Sequence, residues 1–430
     1  LRLRVPVCLA ESGFAAREIR GAYVSLPVMK NKFESVTQEV YTMNPLKHYR
    51  IFDEEPCPCG SGMKYSLCCK KREDSFQRDN KRPVEVQVAE TLKKSQYKCC
   101  LHPDKSRCVK HIKEAHALQN NKIISLLSEN GHVYMLNDKK PPLIIPTEKG
   151  EIETLTLLDK VGVNRATTAT CFCDIHDDEV FAAIEKGAPA FDKGNDEHKF
   201  LYAYKAFIFE YYKKLIEQKA FQRMIKAKPS ALKSRMMVSY YRDVSLTMRE
   251  MDTVKDTFDK AILANDYGIL QTCVIEIPGS IGFANYACIA PDYDLYGRKI
   301  KNAKNGIMHR LYITVFPEES RSFILLSCLH TDSKVYKDFF QQLQAANVDK
   351  VKYYFDLMLP LYSENIIISP RLWEHWTEEQ QAAFTFYINL HGHLFSVYRL
   401  GMKFAMQNCR NQTTGFGDGK RGKIDLFAKT

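Results

Sequence analysis

The chain has 430 residues, 45% of them hydrophobic, and a formal net charge of +11 at pH 7. This length suffices for two or three domains, and the hydrophobic content is ordinary for a globular protein. No apolar run approaches the roughly 18–20 residues that a membrane-spanning helix needs, so we expect no membrane partner. The sequence also lacks the GxxxxGK[ST], GxGxxG, HExxH and GxSxG motifs, which argues against a nucleotide cofactor.

The first methionine is Met29, and the residues before it are rich in arginine and small side chains without clear periodicity. We expect residues 1–42 to be a leader that is disordered or not native. Their apolar stretch, residues 5–10, is too short for the core of a secretory signal peptide. We therefore expect a cytoplasmic protein.

The cysteines are concentrated in one part of the chain, since nine of the fourteen lie between Cys57 and Cys173. Without a secretion signal, such clustering favours metal binding in a reducing cytoplasm over a disulfide framework. Four thiolates complete the coordination shell of a structural Zn²⁺, and two close pairs can reach one ion without a long loop closure. The tightest cluster, and our first predicted zinc site, is Cys57, Cys59, Cys68 and Cys69.

The stretch CPCGSGMKYSLCC resembles the SEC-C motif, known from the C-terminal tail of the SecA preprotein-translocation ATPase and from many other bacterial proteins. The CPCGSG start, the Lys-Tyr pair and the closing Cys-Cys carry the resemblance, which covers about residues 56–72. In SecA this module binds an acidic chaperone and the ribosome. The resemblance implies that an acidic partner surface contacts Lys64, Lys70, Lys71 and Arg72.

A second set of potential zinc ligands lies downstream. The pair Cys173-x2-His176 precedes a helical pattern, as the second ligand pair of a treble-clef site does. A short hairpin could supply the first pair, so we predict a second Zn²⁺ within a treble-clef-like module at residues 97–187. The proposed ligands are Cys100, Cys108, Cys173 and His176, with Cys99 and Cys171 as alternative members of the set. The order of motifs over residues 98–186 also resembles uncharacterised bacterial proteins with no assigned activity.

An alternative hypothesis is a zinc-containing HNH-like nuclease that acts in defence against foreign DNA. In such nucleases a histidine on a hairpin activates water beside a metal ion. His116 and His132 would be the catalytic candidates under this hypothesis alone. The expected His-Asn-His spacing is missing, and residues 109–127 look helical, which favours a buried structural histidine at position 116.

Positive charge is concentrated around the first cysteines: residues 57–113 hold fourteen Lys/Arg and six Asp/Glu. A basic region of this size favours nucleic acid, a ribosome surface or an acidic protein as the partner, although a solvated linker would look the same. Our leading hypothesis is therefore a cytoplasmic zinc-binding interaction protein.

The remaining patterns predict an α+β fold, with two small zinc modules followed by a mostly helical domain that contains an antiparallel sheet. The boundaries are a SEC-C module at 43–72, a linker at 73–96, the second module, a helical α+β domain at 196–410 and a mobile tail at 411–430. Within the last domain we predict an aromatic core helix over 198–228, a second helix to about 264, strands at 272–277, 283–289, 309–316 and 322–329, and helices at about 333–345, 348–363 and 377–404.

Overall fold

The computed structural model describes residues 50–75, 90, 93–94, 96–136, 143–146, 152–185, 190–304, 307–389, 410–411, 415–416 and 424–429. Helices pack on antiparallel strands, so the fold is α+β, as predicted. The helices are α1 (Ser125–Leu127), α2 (Asp174–Val180), α3 (Asp196–Ala227), α4 (Arg235–Ala264), α5 (Ser333–Ala345), α6 (Val348–Tyr362), α7 (Pro370–His375) and α8 (Glu378–Asn389). The strands are β1 (Ile112–His116), β2 (His132–Leu136), β3 (Leu143–Pro146), β4 (Ile152–Leu155), β5 (Leu158–Gly162), β6 (Thr168–Cys173), β7 (Leu270–Pro278), β8 (Phe283–Ile289), β9 (Ala303–Lys304), β10 (Ile307–Met308), β11 (Leu311–Pro317), β12 (Arg321–Leu329), β13 (Ile366–Ile368), β14 (Arg410–Asn411) and β15 (Gly415–Phe416).

The largest sheet has seven strands in the order β5-β2-β13-β8-β11-β12-β7, and all of its pairings are antiparallel. The four strands predicted after residue 270 correspond to β7, β8, β11 and β12. The predicted helices α5 and α6 are also present. A reciprocal pair of hydrogen bonds between Thr377 and Gln380 caps α8. The rest of the helix predicted over 377–404 lies outside the described residues.

Side chains that alternate along the central strands supply two cores, one on each face of the sheet. On one face the ring of Tyr312 lies 5.8 Å from that of Phe207 on α3. The next residue of the strand, Ile313, belongs to the other core, together with Phe339 of α5. Helices α3 and α4 therefore cover one face, and α5, α6 and α8 pack against the other.

Helix α3 is the longest described element and the axis of the first core. It begins after Asn195, whose side-chain oxygen accepts hydrogen bonds from the backbone N–H groups of Glu197 and His198. Most of its aromatic residues are buried, Tyr204 and Phe207 completely, because the helix packs on both the sheet and α4. The prediction that these aromatics form core is confirmed.

The sheet crosses the boundary that we predicted between the second module and the helical domain. Strands β2 and β5 come from residues 97–187, yet β2 pairs with β13, where Tyr134 is opposite Ile368. The sequence patterns did not predict this shared sheet, because pairing between strands more than 200 residues apart leaves no local signal. The domain boundaries themselves stay predictions.

Two sequence-based predictions were wrong. Residues 109–127 do not form a helix: β1 lies at their centre and pairs with β6, and helical turns occupy only residues 120–127. Non-local strand pairing has overridden the local helical pattern here. Residues 424–429 are not a mobile tail, since Leu426 is buried and its N–H donates to Asp356 at 2.7 Å. The predicted leader, residues 1–42, lies outside the described residues.

None of the described helices combines the length and the hydropathy that are needed to cross a bilayer.

Candidate metal centres

The first cysteine cluster is built on a short, tight hairpin. Pro56 and Lys64 form an antiparallel bridge, and the N–H of Cys57 donates to the carbonyl of Met63 at 2.7 Å. The chain turns between them at two glycines with positive φ angles, a conformation that costs other residues energy. Two 3₁₀ turns, Tyr65–Leu67 and Cys69–Lys71, then place the second pair of cysteines.

The four thiols of this hairpin converge in the geometry of a tetrahedral metal shell. All four sulfur atoms lie within 4.8 Å of one another, and the Sγ atoms of Cys59 and Cys68 are 3.6 Å apart. Zn–S bonds of about 2.3 Å in a tetrahedron require sulfurs about 3.8 Å apart. All four cysteines are buried and none is in a disulfide. The donor set therefore fits a closed, structural metal site, with the predicted ligands Cys57, Cys59, Cys68 and Cys69.

The electrostatics of these thiols call for a cation. Burial opposes ionisation, but hydrogen bonds from Ser61 and the neighbouring thiols lower the pKa of Cys59 to about 7. Burial, with hydrogen bonds to Cys57 and Cys59, raises the pKa of Cys69 far above its usual range. Adjacent thiols therefore share protons instead of ionising together, and a divalent cation is what allows all of them to become thiolates.

The hairpin is docked on α3 and α4. The Arg242 guanidinium of α4 donates to the Glu55 carboxylate at 2.7 Å and to the Arg50 carbonyl at 2.7 Å. Beyond the cysteines, the N–H of Ser75 donates to the carbonyl of Ala227 at 2.9 Å, where α3 ends. The four cysteines accordingly belong to the same core as the buried face of α3. The sequence patterns did not predict this docking.

The second cluster contains the four predicted residues, Cys100, Cys108, Cys173 and His176. The sulfur of Cys173 stands at the end of β6, and the imidazole of His176 follows it in the first turn of α2. The His176 Nδ1 atom lies 3.3 Å, 3.6 Å and 3.2 Å from the sulfurs of Cys100, Cys108 and Cys173. Bonds of about 2.3 Å to sulfur and 2.0 Å to nitrogen in a tetrahedron put these atoms about 3.5 Å apart. The alternative ligands Cys99 and Cys171 do not belong to this cluster.

The surroundings of His176 favour its neutral, metal-binding form. Burial lowers its pKa, and its ring stacks on that of His102 at a centroid distance of 3.9 Å. Burial likewise lowers the pKa of His102, to about 4. Burial and the neighbouring thiols raise the pKa of Cys108 to about 11, so this cluster also needs a cation to ionise fully. His102 is a buried contact that the sequence patterns missed, although it stands two residues from a predicted ligand.

The two histidines of the nuclease hypothesis lie apart from both clusters. His116 is half-buried in β1, and its Nδ1 atom lies 2.9 Å from the carbonyl oxygen of Ala166. His132 is exposed at the start of β2, with Nδ1 2.7 Å from the carbonyl oxygen of Asn130. Neither histidine belongs to a potential metal-binding group among the described residues. Their catalytic role stays a prediction without support.

The four basic residues predicted to bind a partner are all exposed, but most also make contacts within the chain. Lys64 pairs with Glu54, and Lys70 pairs with Asp53 at 2.7 Å. The Arg72 guanidinium donates to the carbonyl oxygen of Lys226, on α3, at 3.1 Å. Lys71 follows the last cysteine of the hairpin by two residues. Their role in partner binding stays a prediction.

Comparison with known proteins identifies the first centre only. The family model of the SEC-C motif matches residues 55–71, which contain the four cysteines of the first cluster. No curated protein and no solved structure matches the chain. The resemblance of residues 98–186 to uncharacterised proteins is thus not shown. Residues 55–71 are a SEC-C motif, and their buried thiol cluster fits a zinc-binding module.

Proposed function

We propose that this protein is a zinc-stabilised binding protein of the reducing cytoplasm, which holds two Zn²⁺ ions and recognises a polyanionic partner. The partner class comprises an acidic protein, a ribosome surface and nucleic acid. One observation carries the proposal: the SEC-C hairpin is docked on α3, so that its basic residues adjoin the basic end of that helix. The Arg72 guanidinium donates to the carbonyl of Lys226, and Lys228 stands two residues further on, directly after the end of α3.

The chemistry of the two clusters supports a structural role for the metal. Each offers four ligands, three or four of them thiolates, and a filled tetrahedral shell leaves no position for a reacting water. Metal binding in such small modules contributes directly to the folding free energy. The ions would therefore hold the basic surface in shape, and the surface would do the binding.

Heparin is a suitable general polyanion for a test. Wild-type protein should bind immobilised heparin and elute at higher salt than a variant with Lys70, Lys71 and Arg72 all changed to Ala. Both proteins should retain the same zinc content, since none of the three residues is a ligand. Because Lys70 and Arg72 also have partners within the chain, the far-ultraviolet circular dichroism of the variant should be compared as well.

A matched control removes three charges elsewhere. Lys334 and Lys337 are exposed on α5, and Lys301 is exposed next to Ile300, a member of the core on the α5 side of the sheet. This control triple variant should elute close to wild type. If both triple variants shift equally, only net charge matters and the proposed surface is wrong. If wild-type protein with its zinc does not bind heparin at all, the proposed function fails.

A further inference from the structure

Three exposed cations follow one face of α3 in its last turns. Lys219, Arg223 and Lys226 are separated by four and three residues, the spacing that aligns side chains on a helix surface. Together they extend about 10 Å along the helix axis. No acidic residue occurs between 219 and 228, and no carboxylate in the described part of the chain forms an ion pair with any of the three. We call these three residues the basic stripe.

One side of the basic stripe is bordered by an aromatic residue in a lysine-rich segment. The Nζ atom of Lys219 lies 4.5 Å from the ring centroid of Tyr97, and the Arg223 guanidinium donates to the carbonyl oxygen of Lys94. The Tyr212 hydroxyl, also on α3, donates to the carbonyl oxygen of Tyr97 at 2.7 Å. These contacts fix Tyr97 beside the helix while its side chain stays 41% exposed.

The other side of the basic stripe is bordered by the SEC-C module. Arg72 reaches the carbonyl of Lys226, and the exposed Lys71 precedes it. The acids that follow Arg72 in the sequence are Glu73, which is exposed, and Asp74, whose carboxylate accepts a hydrogen bond from the N–H of Ser230 at 2.9 Å. Before Lys219 stands Glu217, which is buried and pairs with Lys214. The stripe thus stands between two further sources of positive charge, and the first metal centre holds one of them in place.

We propose that the basic stripe and Tyr97 form a binding site for single-stranded nucleic acid. Phosphates would lie along Lys219, Arg223 and Lys226, and one base would stack on the exposed part of the Tyr97 ring. Proteins that bind single strands combine these same two features, a cationic track for the backbone and an aromatic platform for a base. This inference rests on the proposed function and names its partner.

The aromatic residue is what favours nucleic acid over an acidic protein. Acidic side chains are satisfied by lysine and arginine alone, and the π face of a tyrosine beside these cations offers a carboxylate no favourable contact. A base has a flat face that stacks on tyrosine whatever its identity. A duplex keeps its bases stacked on one another, so the site should prefer single strands.

Fluorescence anisotropy with a labelled 20-nucleotide oligo(U) tests this inference on the full-length, zinc-loaded protein. Changing Lys219, Arg223 and Lys226 together to Ala should reduce the slope of log K against log salt by about 2, since each phosphate contact on a single strand contributes about 0.7. The control triple variant should leave the slope unchanged. Tyr97→Ala should weaken binding about fivefold or more at every salt concentration, whereas Tyr97→Phe should retain the affinity.

The outcomes separate this inference from the proposed function. If heparin or an acidic protein binds through the basic stripe but oligo(U) does not, the inference is overturned and the proposed function survives. Equal affinity for a 20-base-pair duplex, or no effect of Tyr97→Ala, would also overturn it. Zinc content and circular dichroism show whether each variant is folded. If the triple variant does not fold, Tyr97→Ala still tests whether a base stacks on this ring.

Discussion

The backbone of Gly60 lies against the side-chain amide of Gln222, so that a Cβ atom on residue 60 would come within 2.6 Å of the amide carbon. Gly60 also has a φ angle of +71°, which L residues adopt only at a cost. One glycine therefore allows both the turn around the first metal centre and the close approach of that centre to α3.

Changing Gly60 to Ala should loosen the first centre through two separate costs. The positive φ angle costs roughly 1–2 kcal/mol for a residue with a Cβ. The Gln222 amide must also move away, and because it ends a flexible side chain this adds only a small further cost. Gly62→Ala is the matched control, because Gly62 has a φ angle of +77° and no heavy atom near its absent Cβ within 4 Å. A chromophoric chelator should remove the ion of the first centre fastest from Gly60→Ala, more slowly from Gly62→Ala and most slowly from wild type.

The added cost at Gly60 can be tested by a second substitution. Gln222→Ala removes the clashing side chain, so the double variant should release its ion at the rate of Gly62→Ala. If Gly60→Ala releases its ion faster than Gly62→Ala and Gln222→Ala does not restore the slower rate, the hairpin does not contact α3 as described.

Metal analysis of purified protein should find close to two zinc ions per chain. Cys57→Ser or Cys68→Ser should remove one, and Cys173→Ser should remove the other, because each leaves three ligands and an incomplete shell. Cys99→Ser should keep both ions, since this thiol lies outside the second cluster. Inductively coupled plasma mass spectrometry under reducing conditions measures all four variants. Preparations of wild type without zinc would contradict both centres.

Loss of the ion from the second centre should increase hydrogen exchange over a larger part of the structure than loss of the ion from the first centre. The second lies at the end of β6, where Cys173 is opposite Ile112 of β1, and the Thr170 hydroxyl of β6 lies 2.7 Å from that of Tyr212 on α3. Hydrogen exchange in Cys173→Ser should therefore increase through β1, β6 and the adjacent part of α3. In Cys57→Ser the increase should be confined to residues near 50–75, since only side-chain and terminal contacts tie this segment to the helices. Equal spreading in both variants would contradict this difference.

The two clusters of potential metal ligands could be predicted from the sequence because the chemistry is local. Cysteines a few residues apart in the sequence also lie close together in space, and the SEC-C spacing is distinctive. The second cluster needed a longer inference, but the pair Cys173 and His176 stands at a helix start that the apolar pattern also predicted. All eight predicted ligands come together in the structure.

The docking of the first centre could not be predicted, because it depends on residues distant in sequence. Gln222 and Arg242 lie more than 150 residues from the hairpin, and no sequence pattern around them identifies their partners. Strand β1 was missed for the same reason: its partner β6 begins more than 50 residues later. Local periodicity indicates only that one face of a segment is buried. A short amphipathic segment can bury one face either as a strand or as a helix.

The ion pair between Arg242 and Glu55 should hold the SEC-C module on α4. A single guanidinium nitrogen, Nη2, lies 2.7 Å and 2.9 Å from the two carboxylate oxygens, and both side chains are about one-third exposed, at 33% and 30%. Solvent screening limits such a pair to about 0.5–1 kcal/mol. Arg242→Ala should therefore increase hydrogen exchange in residues 50–72 severalfold without loss of zinc.

Arg371→Ala, which removes a pair with Glu129 on another part of the surface, is the control and should leave residues 50–72 unchanged. A double-mutant cycle with Glu55→Gln isolates the pair, and additive effects of the two substitutions would show that the module is held by its other contacts with α3.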